Sequence, residues 1–398
     1  MNVLLLLGST LLLTTVSSFA CKRLKLPQVL GHLMIGIVLG TSLLNMISPS
    51  IITDLTMVTY FALALIGFSI GGELRWARIK RFGLSILIIT AFESIVSCVM
   101  VFLGVYALTK QLGLALLLGG LACATAPGGT TNVIQEYKSR GPLTSTLYGV
   151  VGGDDALAII LFSFLSGFAK VAIGAVDSLS VGTILGHVFM DIGGAIIWGG
   201  LLGLVFALWL LRIRNTEARA VLILVSILLC AGAAVYMNVS LILASMAMGI
   251  VIGNIHPHRA RSYFNSLDGL SNPVYMVFFV LIGARLNISL IPTMGAIGIT
   301  YFLFRTFGKY TGAFVGAYVA KTPAKIRQNI GLCLFSQAGV AIGLAISLDI
   351  EFANYGPLVQ DVSQLILMVI TSSTLIFQIM GPLMTKYALT KANETHVY

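Results

Sequence analysis

PLTSTLYGVVGGDDALAIILFSFLSGF, residues 142–168, is apolar for long enough to cross a bilayer as a helix, since about 20 residues span the roughly 30 Å hydrocarbon core. Two adjacent carboxylates, Asp154 and Asp155, fall near its middle. Insertion scales put each such acid at roughly 2.5–3.5 kcal/mol at the bilayer centre, so a pair at that depth needs partners or a task. Ionisable residues inside a membrane are functional candidates by default, and the rest of the chain is read outward from this pair.

The composition fits the same setting. Of 398 residues, 58% are hydrophobic and 10% charged, which describes an integral membrane protein rather than two or three soluble domains. Thirteen apolar segments are expected, at about 2–20, 27–46, 51–72, 83–109, 111–134, 142–169, 182–211, 217–236, 239–254, 269–288, 291–320, 326–347 and 359–385. Residues 1–390 then form a single all-α transmembrane domain, with 391–398 as a cytoplasmic tail. The five cysteines have no paired spacing and read as small core residues.

The net charge of +10 does not point to nucleic acid, because the basic residues follow the hydropathy pattern. Lys22, Arg23, Lys25, Arg75, Arg78, Lys80, Arg81, Lys138, Arg140, Arg212, Arg214, Arg219, Arg259, Arg261, Lys321, Lys325, Arg327, Lys386 and Lys391 all lie in every second loop. Only Lys110 and Lys170 lie in the alternate loops. The positive-inside rule therefore places the N-terminus outside and the C-terminus in the cytoplasm of a multi-pass cell (inner) membrane protein, with lipid headgroups as partners of the basic loops.

An internal repeat is also expected. Gly36-Ile37-Val38-Leu39-Gly40 echoes Gly249-Ile250-Val251-Ile252-Gly253, and Leu65-Ile66-Gly67 echoes Leu281-Ile282-Gly283, at offsets of 213 and 216 residues. Corresponding segments lie seven apart, and an odd number reverses the direction of crossing. The halves, about 1–170 and 217–385 with 182–211 as the link, would thus be inverted repeats of six helices, a plan associated with secondary transporters.

Two segments carry signs of interruption. In the fifth, Ala124-Thr125-Ala126-Pro127-Gly128-Gly129-Thr130-Thr131 sits within apolar sequence; proline removes a backbone donor and glycine permits non-helical angles. Its counterpart in the twelfth is Phe335-Ser336-Gln337-Ala338-Gly339. Unwound backbone at this depth lines a cavity or packs within protein, where carbonyls and helix ends can hold an ion.

With these features together, the chain resembles the cation:proton antiporter-2 family, in particular its bacterial sodium/proton antiporters. The resemblance runs over nearly the whole length. It rests on Leu26-Pro27-Gln28-Val29-Leu30-Gly31, Thr125-Ala126-Pro127, Glu136-Tyr137, Arg140-Gly141-Pro142-Leu143-Thr144, Asp154-Asp155, Phe278-Phe279-Val280 with Ile282-Gly283, and Gln337-Ala338-Gly339-Val340-Ala341-Ile342-Gly343. It implies a homodimer in which a dimerisation subdomain holds a moving core, with two broken helices crossing beside the aspartates and an elevator-like movement exposing one site to each side in turn. It also implies that Asp155 is the carrier of cation and proton. Where electrogenic relatives tend to place lysine in the tenth segment, this chain has Arg285.

Further roles follow from residue chemistry. Consecutive helical residues point about 100° apart, so Asp154 and Asp155 face different directions, and adjacent carboxylates titrate as a pair. Arg285 has two candidate partners, Asp154 and Glu93, the latter within the fourth segment. Arg305 and Lys309 share a helical face and are candidates either to cap carbonyls of the broken helices or to meet lipid headgroups. Thr125, Ser336 and Gln337 are candidate oxygen ligands, and the backbone of Pro127, Gly128, Gly129 and Gly339 forms the breaks. This chemistry suits sodium, lithium or potassium and does not choose among them. The expected activity is secondary exchange of sodium, as transported substrate rather than resident cofactor, for protons. Alternatives are potassium/proton exchange and, in another class, sodium-coupled symport of an organic anion. No catalytic arrangement of Ser/His or metal ligands is visible, so an enzyme is not expected.

Overall fold

A backbone in hydrocarbon must satisfy its own N–H and C=O groups, and long apolar runs do so as helices. The computed structural model describes residues 3–23, 28–40, 43–74, 76–126, 130, 133–134, 137–174, 181–213, 215–257, 259–285, 291–337, 339–353 and 355–395. Its elements are α1 (Val3–Arg23), α2 (Gln28–Leu39), α3 (Pro49–Asp54), α4 (Thr56–Glu73), α5 (Trp76–Thr109), α6 (Leu112–Leu121), α7 (Pro142–Ala172) and α8 (Val181–Leu210). They continue with α9 (Thr216–Tyr236), α10 (Leu241–Ile255), α11 (Ala260–Asn265), α12 (Asp268–Arg285), α13 (Ile291–Val319), α14 (Ala324–Asn329), a 3-10 turn (Ile330–Leu334), α15 (Gly339–Phe352) and α16 (Pro357–Lys391). No strand occurs among the described residues.

Each of the thirteen expected segments contains helix, but they are not thirteen equal rods. Among the described residues six helices are long and apolar enough to cross a membrane, or up to seven if the pair Ala324–Leu334 and Gly339–Phe352, bent by 45°, is one broken span. Others, such as α6 with 10 residues and α10 with 15, are short apolar helices. The chain is accordingly a multi-pass integral membrane protein.

The described chain divides into two units, each built from two stretches of sequence. Unit 1 comprises Met1–Glu73 and Gly193–Pro292; unit 2 comprises Leu74–Ile192 and Thr293–Tyr398. Unit 1 is organised by two close crossings, α2 against α12 and α4 against α10. A Cβ at Gly36 would strike the Val280 carbonyl, and one at Gly283 the Leu33 carbonyl. In the second crossing a Cβ at Gly71 would strike the Met246 carbonyl, and one at Gly249 the Phe68 carbonyl. Gly36, Gly249 and Gly283 belong to the recurring motifs noted above. Small residues allow such backbone contact where hydrophobic burial gives helices no preference for one another over lipid.

Unit 2 packs α6 against α5 and α7, and α16 against α15 and the 3-10 turn. One core cluster joins Ile89 of α5, Leu143, Leu147 and Val150 of α7, Ala313 and Ala317 of α13, and Ala388 and Leu389 of α16. Gly83, at φ 74°, marks a kink that sets the start of α5 off from its apolar run. The described part of the segment 391–398 packs back on unit 2. Helix α16 runs through Lys391, and Glu394 is only 1% exposed.

The glycine crossings give a direct test. Gly283→Val should lower the midpoint of thermal unfolding in detergent, since overpacking a tight contact costs typically ~1–3 kcal/mol. Gly269→Ala, in the same helix but with no atom within 4 Å of its added Cβ, should leave the midpoint unchanged or raise it. Equal effects of the two would show that the crossing does not limit stability.

Candidate functional site

The site lies wholly within unit 2 and begins with two interruptions. Helix α6 ends at Leu121, and Ala124, Thr125 and Ala126 continue without helical structure. The 3-10 turn ends at Leu334, Phe335, Ser336 and Gln337 are likewise non-helical, and α15 starts at Gly339. The breaks meet each other directly. Ala126 N–H donates to the Ser336 carbonyl at 3.0 Å, and the Thr130 hydroxyl donates to the Cys333 carbonyl at 3.0 Å. Gln337 Nε2 donates to the Leu121 carbonyl at 3.2 Å and to the Tyr301 hydroxyl at 2.8 Å. Pro127, Gly128 and Gly129 lie outside the described residues, so the part of the first break seen here ends at Ala126.

Ending a helix inside a membrane leaves carbonyls without donors, which costs several kcal/mol each. Two cations on one face of α13 meet this demand. Arg305 donates to the carbonyls of Phe335 at 2.9 Å, Ala124 at 2.8 Å and Ser336 at 3.4 Å. Its guanidinium stacks 4.3 Å from the Phe377 ring centroid. The fork of a guanidinium suits several acceptors at once. Lys309, one turn on, donates to the Cys123 carbonyl and to the Thr125 hydroxyl at 2.8 Å. Both side chains are fully buried. Of the two expectations for this pair, carbonyl capping is the one seen.

Lys309 also carries the charge pairing. Its ammonium lies 2.7 Å from Glu93 Oε2 and 3.2 Å from Asp154 Oδ2, with all three groups at 0% exposure. The Ser94 hydroxyl donates to Asp154 Oδ1 at 2.9 Å and approaches Glu93 Oε1 at 3.1 Å. Asp155, 2% exposed, follows on α7 and points elsewhere on the helix, as two successive residues must. The approach of α13 to α5 permits this pairing. A Cβ on Gly312 would lie 2.8 Å from Glu93 Cα, and one on Gly308 2.7 Å from Ser97 Cα.

The expectation that Arg285 pairs with Glu93 or Asp154 falls on a side chain outside the described residues. That residue closes α12 in unit 1. Among the described residues the cation shared by Glu93 and Asp154 is Lys309. The structure brings together Glu93, Thr125, Asp154, Arg305, Lys309, Ser336 and Gln337, with Asp155 adjacent on α7 and Gly339 at the start of α15. Ser94, Tyr301 and Phe377 belong to the same assembly and were not anticipated. A signal existed for two of them: Tyr301, Arg305 and Lys309 repeat at i, i+4, i+8, and Thr90, Ser94 and Ser97 form a polar stripe on otherwise apolar α5.

An all-helical membrane bundle with two interrupted segments that meet over buried acids and a lysine is the architecture of a secondary transporter. Residues 8–386 match the family described as sodium/hydrogen exchanger, transmembrane, and the chain belongs to that family. It is 26% identical over 354 residues to the probable Na+/H+ antiporter GerT of Bacillus cereus, covering 84% of this chain and 88% of that one. It is 25% identical over 384 residues to the Na+/H+-K+ antiporter GerN of the same organism, covering 95% and 94%. Its fold is similar to that of the sodium proton antiporter MjNhaP1 from Methanocaldococcus jannaschii at pH 8, with a TM-score of 0.81 and 19% identity over 98% of each chain.

Removing the ammonium should expose its importance to the fold. Lys309→Met leaves Glu93 and Asp154 buried without their cation, and breaking a buried pair by removing one partner costs about 3–5 kcal/mol. The unfolding midpoint should fall sharply and recover in part when Glu93→Gln is added. A Lys309→Met protein as stable as the parent would contradict the pairing described.

Proposed function

We propose that this chain is a sodium/proton antiporter in which Asp155, assisted by Asp154, binds the cation and the proton in competition. The observation that carries this reading is the imbalance of charge at the crossing. Among the described residues Glu93 and Asp154 both face the one ammonium of Lys309, whereas Arg305 is engaged by backbone carbonyls. A dehydrated site holding this many acids is neutralised by protons or by a hard monovalent cation, and membership of the exchanger family supports the second partner being sodium. Ser336 Oγ and Gln337 Oε1 are buried without a hydrogen-bond partner, which suits oxygens held ready for such an ion.

Lys309 changes the proton count. A guanidinium stays charged, but an ammonium can release its proton. A sodium ion entering beside Asp154 therefore has two protons to displace, one from the carboxyl pair and one from Lys309, and exchange of two protons for one sodium follows. In this reading unit 2 carries the whole site as one body in an elevator-like movement, unit 1 holds a homodimer, and the C-terminus faces the cytoplasm of the inner membrane. The location of Glu93, Asp154, Asp155, Arg305 and Lys309 in unit 2 supports that division of labour.

Reconstitution into liposomes tests the activity. A sodium gradient should drive proton movement reported by an internal pH dye, and Asp155→Asn should abolish it while the protein still inserts and folds. Lithium and potassium gradients rank the cations. Proton movement with none of the three, or undiminished exchange by Asp155→Asn, would overturn the reading.

A further inference from the structure

The carboxylate of Glu394 sits on the first turn of α7, the helix that carries Asp154 and Asp155. Glu394 Oε1 accepts from Leu143 N–H at 2.9 Å, and Oε2 accepts from Thr144 N–H and the Thr144 hydroxyl, each at 2.8 Å. The backbone is engaged too, with Arg140 N–H donating to the Glu394 carbonyl at 3.0 Å. Gly141 fits because a Cβ there would collide with Glu394 Cδ. The Arg140-Gly141-Pro142-Leu143-Thr144 run thus acquires a physical purpose: it forms a receptor for this one side chain, with Pro142 at the position where a missing N–H does no harm.

The local sequence aims Glu394 at that receptor. Helix α16 closes with Ala392, Asn393 turns the chain at φ 51°, and Glu394 N–H returns to the Leu389 carbonyl at 3.0 Å. This is a left-handed helix ending in which asparagine substitutes for the usual glycine. Ala388 and Leu389 seat the turn in the same cluster as Leu143 and Leu147. A carboxylate at a helix N-terminus satisfies orphan donors and opposes the positive end of the helix dipole.

The same helix α16 also braces the crossing. Phe377 stacks on Arg305, and Gly381 lies so close to the second break that a Cβ would collide with Ser336 Oγ. The one helix, with Pro382 inside it, therefore contacts the crossing at Phe377 and Gly381 and, through the turn that ends it, grips the aspartate helix at Glu394. A displacement of α7 along its axis moves Asp154 relative to Lys309 and Thr125, which are tied to the breaks. We infer that Glu394 is a positioning residue for ion exchange, clamping the aspartate helix to α16 and so fixing Asp154 and Asp155 in register with the crossing.

This inference rests on the exchange reading above, and two measurements keep them apart. In proteoliposomes containing equal amounts of folded protein, Glu394→Gln presents an amide to three donors and should raise the apparent KM for sodium about fivefold, the order expected for losing one cap. Glu394→Asp, which keeps the charge, should restore most of the affinity. By hydrogen–deuterium exchange, the α7 peptide that includes Asp154 and Asp155 should open about fivefold more readily in Glu394→Gln, not the first turn alone. Amide exchange needs no transport, so a parent protein without sodium/proton exchange bears on the function and leaves this comparison standing. An unchanged KM, or faster amide exchange confined to residues 142–145, overturns the inference. Should Glu394→Gln fail to fold, Gly141→Ala, which displaces the carboxylate while keeping Glu394, carries the same expectations and the same contrary results.

Discussion

A fully buried ammonium group anchors this protein. Lys309 donates to a carbonyl of an interrupted helix, to the Thr125 hydroxyl and to carboxylates from two other helices. Each partner alone would be a liability in a bilayer. Broken helices leave carbonyls bare, buried acids lack a counter-charge, and a buried lysine lacks solvation. Bringing them together lets each deficit satisfy another. Arg305 completes the arrangement by taking three further carbonyls.

This interdependence explains how the scaffold is built. Glycines on α13 let it lie against α5 closely enough for Lys309 to reach Glu93. Unit 1 uses the same device for a different purpose, crossing α2 with α12 and α4 with α10 through glycines that expose backbone to backbone. A site that must neutralise charge in hydrocarbon tolerates little slack, because Coulomb energy at low dielectric changes steeply over an ångström. Rigid contacts around the crossing are the structural answer to that requirement.

Much of this was legible in the sequence, for identifiable reasons. Apolar length gave helices, Asp154-Asp155 stood out against their surroundings, and Pro127 with two glycines marked one interruption. The recurrence of the Gly36 and Gly249 motifs suggested an internal repeat and did not say which helices those glycines bring into contact. The identity of the acids' cation was not legible, because periodicity places Arg305 and Lys309 on one face without saying what that face meets. The pairing of Lys309 with Glu93 comes from the close contact of α13 with α5, which no spacing in the sequence shows. Glu394 was hidden for a similar reason: a lone acid beyond a terminal helix looks solvated until the turn at Asn393 directs it onto α7.

The central claim is that the buried acids and Lys309 hold protons which a metal cation displaces. Counting protons released as sodium binds to the purified protein in weakly buffered detergent tests it most directly. The account predicts that sodium binding releases protons, approaching two per ion, and that the release disappears in Asp155→Asn. Sodium binding to the site with no release of protons would contradict it.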